Sequence, residues 1–405
     1  MSQTQRNTAF KAARTAAGYT QKSLAAELGV DQRQVGRWES ANPGWPKHHD
    51  LRTRLMKLLG QKDMSSLGFT PPYGAEYPQP TQRSAGVTAR ATVPRQRATA
   101  LQPTTVADDF GAVTRSHRRL YWTVNPSDLH PAVLSHATLG CALLADTAGH
   151  TRATVASALA ETYLLAGRIE FFDLRDPAQA DKTLGRALQA AGEAEDALLA
   201  SAILAHMAFV PGWAGKREAA IDRMRAARTY ARRGDASGSL SAWLNAVEAE
   251  CETRCGHPRT ALHLICQAED MLAADASAST PEWMDWFNPL RLAAFKGNTQ
   301  LVAGHLPQAR ESLLAVLEQL PETEKQRTVV LGDLAMVEAA DGRPEEACAY
   351  ASQALSQLEA TWYMTGVERV RKVHKALAAH QHKQCVIELE DQLYGWTTTV
   401  SALAG

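Results

Sequence analysis

The stretch "QKSLAAELGVDQRQVGRWES", from Gln21 to Ser40, places Gly29 between two segments with helical spacing of apolar residues. A glycine inside a helix costs about 1 kcal/mol relative to alanine. Glycine also adopts the positive φ of a tight turn without steric cost. We therefore interpret Gly29 as the turn between two short helices.

The remaining apolar positions of this stretch fit two helices packed at a fixed angle. Ala25 is small enough for the second helix to cross over it, and Asp31 is a suitable N-cap for that helix. The residues expected to hold the helices together are Leu24, Leu28, Val30, Val35 and Trp38. This set predicts a helix-turn-helix.

Charge is distributed unevenly along a chain whose formal net charge is zero. Residues 1–62 hold 11 Lys and Arg against 4 Asp and Glu, and residues 63–119 hold 7 against 4. Residues 120–405 hold 25 against 35. A small basic region before a larger acidic one predicts that the N-terminal region binds a polyanion and that the remainder does not.

The second predicted helix carries side chains that can read DNA bases. Arg33 can donate two hydrogen bonds to guanine, and Gln32 or Gln34 can pair with adenine. The residues suited to phosphate contacts are Lys22, Lys47 and Arg52. The alternative is a plain helical hairpin whose polar side chains are only solvated.

The segment "RTAAGYTQKSLAAELGVDQRQVGRWES" resembles the lambda-repressor and Cro family, also called the XRE family, over about residues 7–60. The resemblance implies a five-helix DNA-binding domain over residues 1–62, with Arg14 paired to Glu39. It also implies the following DNA contacts: Gln21 to phosphate, Gln32, Arg33 and Gln34 to bases, and Arg37 one turn further on. The segment "SANPGWPK" departs from the family pattern with a longer, proline-rich loop, which leaves the contact of Lys47 open.

A segment of different composition follows this region. From Thr70 to Thr105 the chain is rich in Pro, Thr, Ala, Gln and Arg and has almost no large apolar residues. Such a segment buries too little apolar surface to offset the entropy of ordering it. We expect a disordered linker over residues 63–107.

The rest of the chain is helical in pattern and carries a recurring mark of Gly, four residues and Ala. The copies are "GKREAA", "GHPRTA", "GHLPQA" and "GRPEEA", ending at Ala220, Ala261, Ala309 and Ala347, with degenerate copies "RDPAQA" and "HQHKQC" ending at Ala180 and Cys385. Successive marks lie 38 to 48 residues apart. This spacing predicts stacked helical hairpins, in which glycine permits the turn and alanine permits close helix approach.

These marks resemble the turn of the tetratricopeptide repeat, over about residues 150–395, although the spacing exceeds the roughly 34 residues of that repeat. The resemblance implies an α-solenoid over residues 108–405, which we expect to act as a sensor and dimerisation domain.

Aromatic residues cluster where the repeat spacing is longest, in "PEWMDWFNPL". They can form a ligand or partner pocket or simply pack between long helices. Polar residues nearby face the concave groove in tetratricopeptide arrays, or else lie on solvated helix faces. The candidate groove residues are Trp213, Trp243, Arg254, Trp283, Trp286, Arg291 and Asn298.

Other kinds of site find less support. A group of zinc-type donors, namely Cys251, Cys255, His257, His263 and Cys266, is better explained by buried small residues on helices. We find no catalytic constellation or P-loop and expect no metal, no cofactor and no enzymatic activity. No run approaches the ~20 apolar residues that span a bilayer, and the N-terminus lacks a signal-peptide pattern. The six irregularly spaced cysteines fit reduced thiols, so a cytoplasmic, nucleoid-associated protein is expected.

Together these patterns predict an all-α, sequence-specific transcriptional regulator. Its expected partners are a double-stranded DNA operator, a second copy of the chain, and an effector that is a peptide, a small molecule or a protein signal. The alternative is a helical-repeat interaction scaffold that its N-terminal domain tethers to DNA. The sequence leaves the operator, the effector and the sign of regulation open.

Overall fold

The computed structural model describes residues 7–40, 46, 49–61, 64, 66–69, 102–274 and 280–403. These residues form helices and turns, with no strand among them. The chain divides into two compact units, Met1–Gln96 and Arg97–Gly405. The all-α class predicted from the sequence is confirmed.

The first unit contains helices α1 (Thr8–Ala16), α2 (Gln21–Leu28), α3 (Gln32–Trp38) and α4 (His49–Leu58). Gly29 follows α2 with φ +69°, as the turn requires. Asp31 caps α3, since its side chain accepts a 2.7 Å hydrogen bond from the backbone N–H of Arg33. Four helices are described in this unit where five were expected, and residues 66–68 form turns.

Three aromatic rings form the centre of the first unit. Phe10, Trp38 and Phe69 pack edge to face, with ring centroids 5.5 to 6.2 Å apart. The Asn7 side-chain amide donates to the carbonyl oxygens of Trp38 at 3.1 Å and of Leu67 at 2.9 Å. The segment around Phe69 is therefore tied to α1 and α3 by both apolar and polar contacts.

These contacts correct the predicted edges of the linker. Met64, Leu67 and Phe69 are buried in the first core, so the linker does not begin at residue 63. Helix α5 begins at Thr105, with Ala107 buried. The linker therefore ends before residue 105 and does not extend to residue 107. Residues 70–101 of the predicted linker lie outside the described residues.

The second unit contains fourteen α-helices among its described residues. They are α5 (Thr105–Leu120), α6 (Pro126–Ala145), α7 (Gly149–Arg168), α8 (Pro177–Glu193), α9 (Ala197–Trp213), α10 (Arg217–Arg233), α11 (Gly238–Arg254), α12 (Pro258–Ala274), α13 (Pro289–Val302), α14 (Leu306–Gln319), α15 (Gln326–Ala340), α16 (Pro344–Ala360), α17 (Met364–Ala376) and α18 (Gln384–Leu403). A π-helical turn, Ile169–Asp173, extends α7, and a 3₁₀ turn, Leu377–His380, follows α17. No helix in the described part of the chain is long and apolar enough to cross a membrane.

The recurring Gly and Ala marks lie at the turns between paired helices, as their spacing predicted. The four glycines, Gly215, Gly256, Gly304 and Gly342, form the hairpin turns with φ between +71° and +83°, and the alanines that follow are buried. An added Cβ at these glycines would meet nothing within 4 Å, so backbone conformation rather than crowding favours glycine. In the first degenerate copy, Arg175 takes the positive φ instead, at +58°.

The longest repeat spacing comes from a segment inserted between α12 and α13. Its described part, residues 280–288, consists of turns. Trp283, Met284 and Trp286 from this segment are buried in the core of the second unit. The insertion therefore brings aromatic side chains to the inside of the solenoid.

Early and late parts of the solenoid meet through three contacts, which we call the closure contacts. They are Lys325 Nζ to Asp173 Oδ1 at 3.5 Å, Thr365 Oγ1 donating to the Phe172 carbonyl oxygen at 3.2 Å, and Arg175 Nη2 to Glu368 Oε1 at 2.6 Å. They join the turn after α7 to the start of α15 and to α17. The solenoid therefore curves until segments from its two halves touch across the concave side.

We predict that Phe69→Ala destabilises the first unit by about 3–5 kcal/mol, because it removes one of the three central rings. Faster amide hydrogen exchange in residues 20–40 of the full chain would report the loss. Lys57→Ala, at an exposed position of α4, is the control and should change stability by less than about 0.5 kcal/mol. Equal protection in the two variants would show that the segment around Phe69 is not part of this core.

Candidate nucleic-acid interface and internal cavity

Helix α3 has one face in the core and one in solvent. Val35 and Trp38 are fully or almost fully buried. Gln32, Arg33 and Arg37 are exposed, and Gln34 is half-buried. The buried face fixes the orientation of the helix, and the polar side chains predicted to read bases project from a rigid support.

Glu39, at the end of α3, connects three helices of the first unit. Its Oε1 accepts a 2.6 Å hydrogen bond from Arg14 Nε, and its Oε2 accepts a 2.7 Å bond from Gln21 Nε2. The pairing of Arg14 with Glu39 is confirmed. The Gln21 amide keeps a second N–H, which is the donor that a phosphate contact would need.

The other phosphate contacts predicted in this unit are Lys22, Lys47 and Arg52, of which Arg52 donates a 2.8 Å hydrogen bond from Nη1 to the Pro46 carbonyl oxygen. Lys22 is exposed on the first turn of α2. Lys47 lies outside the described residues. The roles of the predicted DNA-contacting residues therefore remain predictions. Those on α2 and α3 are exposed or half-buried.

The second unit contains a cavity with about 840 Å³ of empty space, counting the part continuous with solvent. The cavity is lined by the first helix of each hairpin from α7 to α17, with Tyr121 and Trp286 from the connecting segments. The closure contacts lie at its border, since Phe172 and Thr365 are both lining residues.

The structure brings most of the predicted groove residues together around this cavity. The lining residues among them are Trp213, Trp243, Arg254, Trp286, Arg291 and Asn298. Trp283 is not a lining residue. Its ring stacks on that of Trp286, with centroids 5.8 Å apart and planes at 27°, so Trp283 supports the wall from behind.

The sequence reasoning missed several lining residues, of which Arg168 and His206 bear most on the chemistry. Arg168 stands within "TYLLAGRIEFF", an otherwise mostly apolar run of a buried helix. An arginine in such a run is itself a signal, because arginine is almost never fully buried without a partner.

One wall of the cavity is aromatic. The His206 ring centroid lies 4.8 Å from that of Trp243 and 5.2 Å from that of Trp286. His206 Nδ1 lies 2.9 Å from the Ala202 carbonyl oxygen, which fixes this nitrogen as the donor. Burial, together with the nearby Arg168 cation, lowers the pKa of His206 to about 3. The imidazole is therefore neutral near pH 7 and belongs to the uncharged wall.

Two arginines of the lining are paired with carboxylates. Arg254 Nε lies 2.6 Å from Glu250 Oε1, and its guanidinium carbon lies 3.6 Å from the Trp213 ring centroid. Arg369 Nε lies 3.2 Å from Asp333 Oδ1. Burial raises the pKa of Asp333, and the Arg369 cation opposes that rise. These four side chains form a charge-balanced section of the lining.

Two other arginines of the lining have no carboxylate oxygen within 4.0 Å among the described residues. Arg168 is 5% exposed, and its guanidinium carbon lies 4.7 to 5.8 Å from the ring centroids of Tyr121, Trp122 and Trp286. Arg291 hydrogen-bonds to Gln326 Oε1. Burial lowers the pKa of Arg291, and the nearby Arg168 cation lowers it further.

Comparison with known proteins identifies the first of these two regions. The family model described as "Helix-turn-helix" matches residues 10–47. The first unit contains a DNA-binding helix-turn-helix of the XRE type. This region includes α2, the Gly29 turn and α3 in full, so the match agrees with the geometry described above.

The remaining comparisons add little on function. No curated protein matches the chain. Among the solved structures that match is a Rap protein complexed with Competence and Sporulation Factor. The identity is 10%, the match covers 73% of this chain and 99% of that chain, and the TM-score is 0.43. A likeness of this size carries no information about what the cavity of this chain binds.

We predict that Glu39→Ala destabilises the first unit by about 3 kcal/mol, because Arg14 would keep a largely buried charge without its partner. Chemical denaturation followed by hydrogen exchange in α1 and α2 measures the loss. Glu27→Ala removes an exposed carboxylate from the same unit and should have little effect. Similar losses in the two variants would contradict a stabilising role for the Arg14–Glu39 pair.

Proposed function

We propose that this chain is a dimeric transcriptional regulator that binds an operator through α3 and changes its DNA binding when an effector occupies the cavity. The observation that carries the proposal is a single chain with a helix-turn-helix in one unit and a cavity lined by tryptophans and arginines in the other.

The exposed positions on α2 and α3 support a division of labour in DNA recognition. Arg33, in the first turn of α3, reads a guanine, and Gln32 and Gln34 contact neighbouring bases. Gln21 and Lys22, at the start of α2, bind phosphate and set the register on the duplex. Arg37 extends the contacts by one turn.

Dimerisation is supported by the small reading surface of one helix-turn-helix. Helix α3 has seven residues, which reach only a few base pairs. Specific binding by such modules generally uses two half-sites about one helical turn apart. We assign dimerisation to the second unit. It would join two helix-turn-helix units and raise the effective concentration of one at its half-site once the other is bound.

An effector of small size is supported by the closure of the solenoid. The cavity lies within the concave side, and the closure contacts restrict access to it. A small molecule or a short peptide segment fits such a space better than a folded partner does. The effector acts by binding one arrangement of the second unit more tightly than another.

An interaction scaffold tethered to DNA is the second candidate, and catalysis has no support from the site. A scaffold would present its partner-binding residues on an accessible outer surface, whereas the tryptophans and arginines here line a cavity on the concave side. Co-purification of a stoichiometric protein partner, with no response to small ligands, would favour the scaffold.

We predict that Arg33→Ala costs about 1–3 kcal/mol on a selected operator and relaxes the preference at one base pair. Lys22→Ala should weaken binding to all duplexes alike and reduce the salt slope by roughly one. Fluorescence anisotropy with operator and random duplexes at several salt concentrations separates the two effects. If Arg33→Ala weakened both duplexes equally, the base-reading role of Arg33 would be wrong.

We predict that selection from a random duplex library with the full chain yields an inverted repeat bound by two chains. Sedimentation of the chain with the selected duplex gives the stoichiometry. A duplex with one half-site should bind at least ~100-fold more weakly, because the helix-turn-helix unit of the second chain has no half-site to bind. One chain per duplex at full affinity would refute the dimeric arrangement.

A further inference from the structure

Positive charge is in excess where two arginines of the cavity lining approach Trp122, which is not itself a lining residue. The guanidinium carbons of Arg168 and Arg291 lie 5.8 and 5.6 Å from the same Trp122 ring centroid. Lys325 is a third buried cation nearby, and its charge is matched by Asp173 at 3.5 Å. Among the described side chains, Arg168 and Arg291 are therefore the arginines of this lining without a directly paired carboxylate.

The same lining presents hydrogen-bond donors without acceptors. Three buried N–H groups have no partner among the described residues, namely Arg168 Nε, Trp213 Nε1 and Trp286 Nε1. A fourth, Arg369 Nε, is better counted as paired because it lies 3.2 Å from Asp333 Oδ1. Among the described lining residues, no buried side-chain acceptor oxygen lacks a hydrogen-bond partner.

An unpaired buried donor costs about 1–3 kcal/mol, and more when the donor is charged. The rings of Tyr121, Trp122 and Trp286 around Arg168 compensate part of that cost, since a cation over an aromatic face is stabilised by about 0.5–2 kcal/mol. Ring faces do not satisfy the in-plane N–H groups of the guanidinium. What those groups lack is an acceptor oxygen with negative charge.

We propose that Arg168 and Arg291 form an oxyanion subsite that binds the carboxylate of an aromatic organic acid. A planar guanidinium matches a carboxylate with two parallel hydrogen bonds. The flat body of the ligand lies against Trp243 and His206 of the aromatic wall. The identification of this acid as the effector rests on the proposed function, whereas the subsite itself does not.

The rest of the lining limits the ligand to one such anionic group. Glu250 and Asp333 are both buried carboxylates of the lining, each with one arginine partner. A second anion placed there would meet like charge at short range and a low effective dielectric. The cavity therefore favours a molecule with one acidic end and an uncharged aromatic body.

Calorimetry on the full chain tests the subsite with three matched probes, 1-naphthoate, 1-naphthalenemethanol and 1-naphthyl phosphate. We expect 1-naphthoate to bind at least about 10-fold more tightly than the neutral alcohol, as a charge-assisted hydrogen bond supplies. Equal affinity for the acid and the alcohol, or no binding of the acid, would overturn the proposal. Tighter binding of the phosphate than of the carboxylate would overturn the carboxylate assignment.

Two variants locate the binding, and a third is the control. Arg168→Met and Arg291→Met should each reduce the preference for the acid over the alcohol by about 10-fold or more. Arg232→Met, at an exposed position of α10, should leave that preference unchanged. Retention of the full preference in Arg168→Met would overturn the proposal.

The melting temperature distinguishes loss of a binding group from loss of the fold. Arg168→Met should melt at or above the temperature of the unchanged protein, because an apolar side chain of similar volume replaces a buried charge without a carboxylate partner. A lower melting temperature would indicate that Arg168 is structural and would contradict the subsite. Binding of 1-naphthoate without any change in operator affinity would leave the subsite standing and would contradict only its role as the effector site.

Discussion

The buried pair of Asp173 and Lys325 connects parts of the chain that are 152 residues apart, and among the closure contacts it is the pair of opposite charges that is almost completely buried. Burial raises the pKa of Asp173 to about 6, while Lys325 opposes the rise. Burial likewise lowers the pKa of Lys325, against the effect of Asp173. Either charge buried without the other would be strongly destabilising, so the contact between these two segments is favoured by the pairing of the charges.

The π-helical turn at the end of α7 explains how one short segment serves both closure and cavity. Residues 169–173 wind more widely than an α-helix, and such turns are frequent at functional sites. Arg168, just before the turn, and Phe172, within it, line the cavity, while Asp173 meets Lys325. A regular α-helix would distribute these consecutive side chains around its axis at a tighter pitch, and their joint placement would change.

Much of the fold was predictable because local backbone rules govern it. Gly29 and the repeat glycines have positive φ, and a glycine between two helical segments is a direct sequence signal for such a turn. Phe69 was missed because its neighbours have the composition of a linker, and its partners Phe10 and Trp38 are distant in sequence. Arg168 was missed because Trp286, which packs against it, follows more than a hundred residues later. Contacts of this kind arise from the curvature of the solenoid, which no single repeat specifies.

The energetics of the cavity favour a ligand that completes the structure. In this arrangement Tyr121 and Trp286 lie against Arg168, and its side chain is almost entirely removed from water. This desolvation opposes closure, and the cation–π contacts offset part of it. An oxyanion that bonds to Arg168 and Arg291 removes the opposing term only when the solenoid is closed. Under the proposed function, a ligand would act only if it bound this arrangement more tightly than one in which Arg168 is hydrated, because a ligand shifts an equilibrium only by its difference in affinity for the two states.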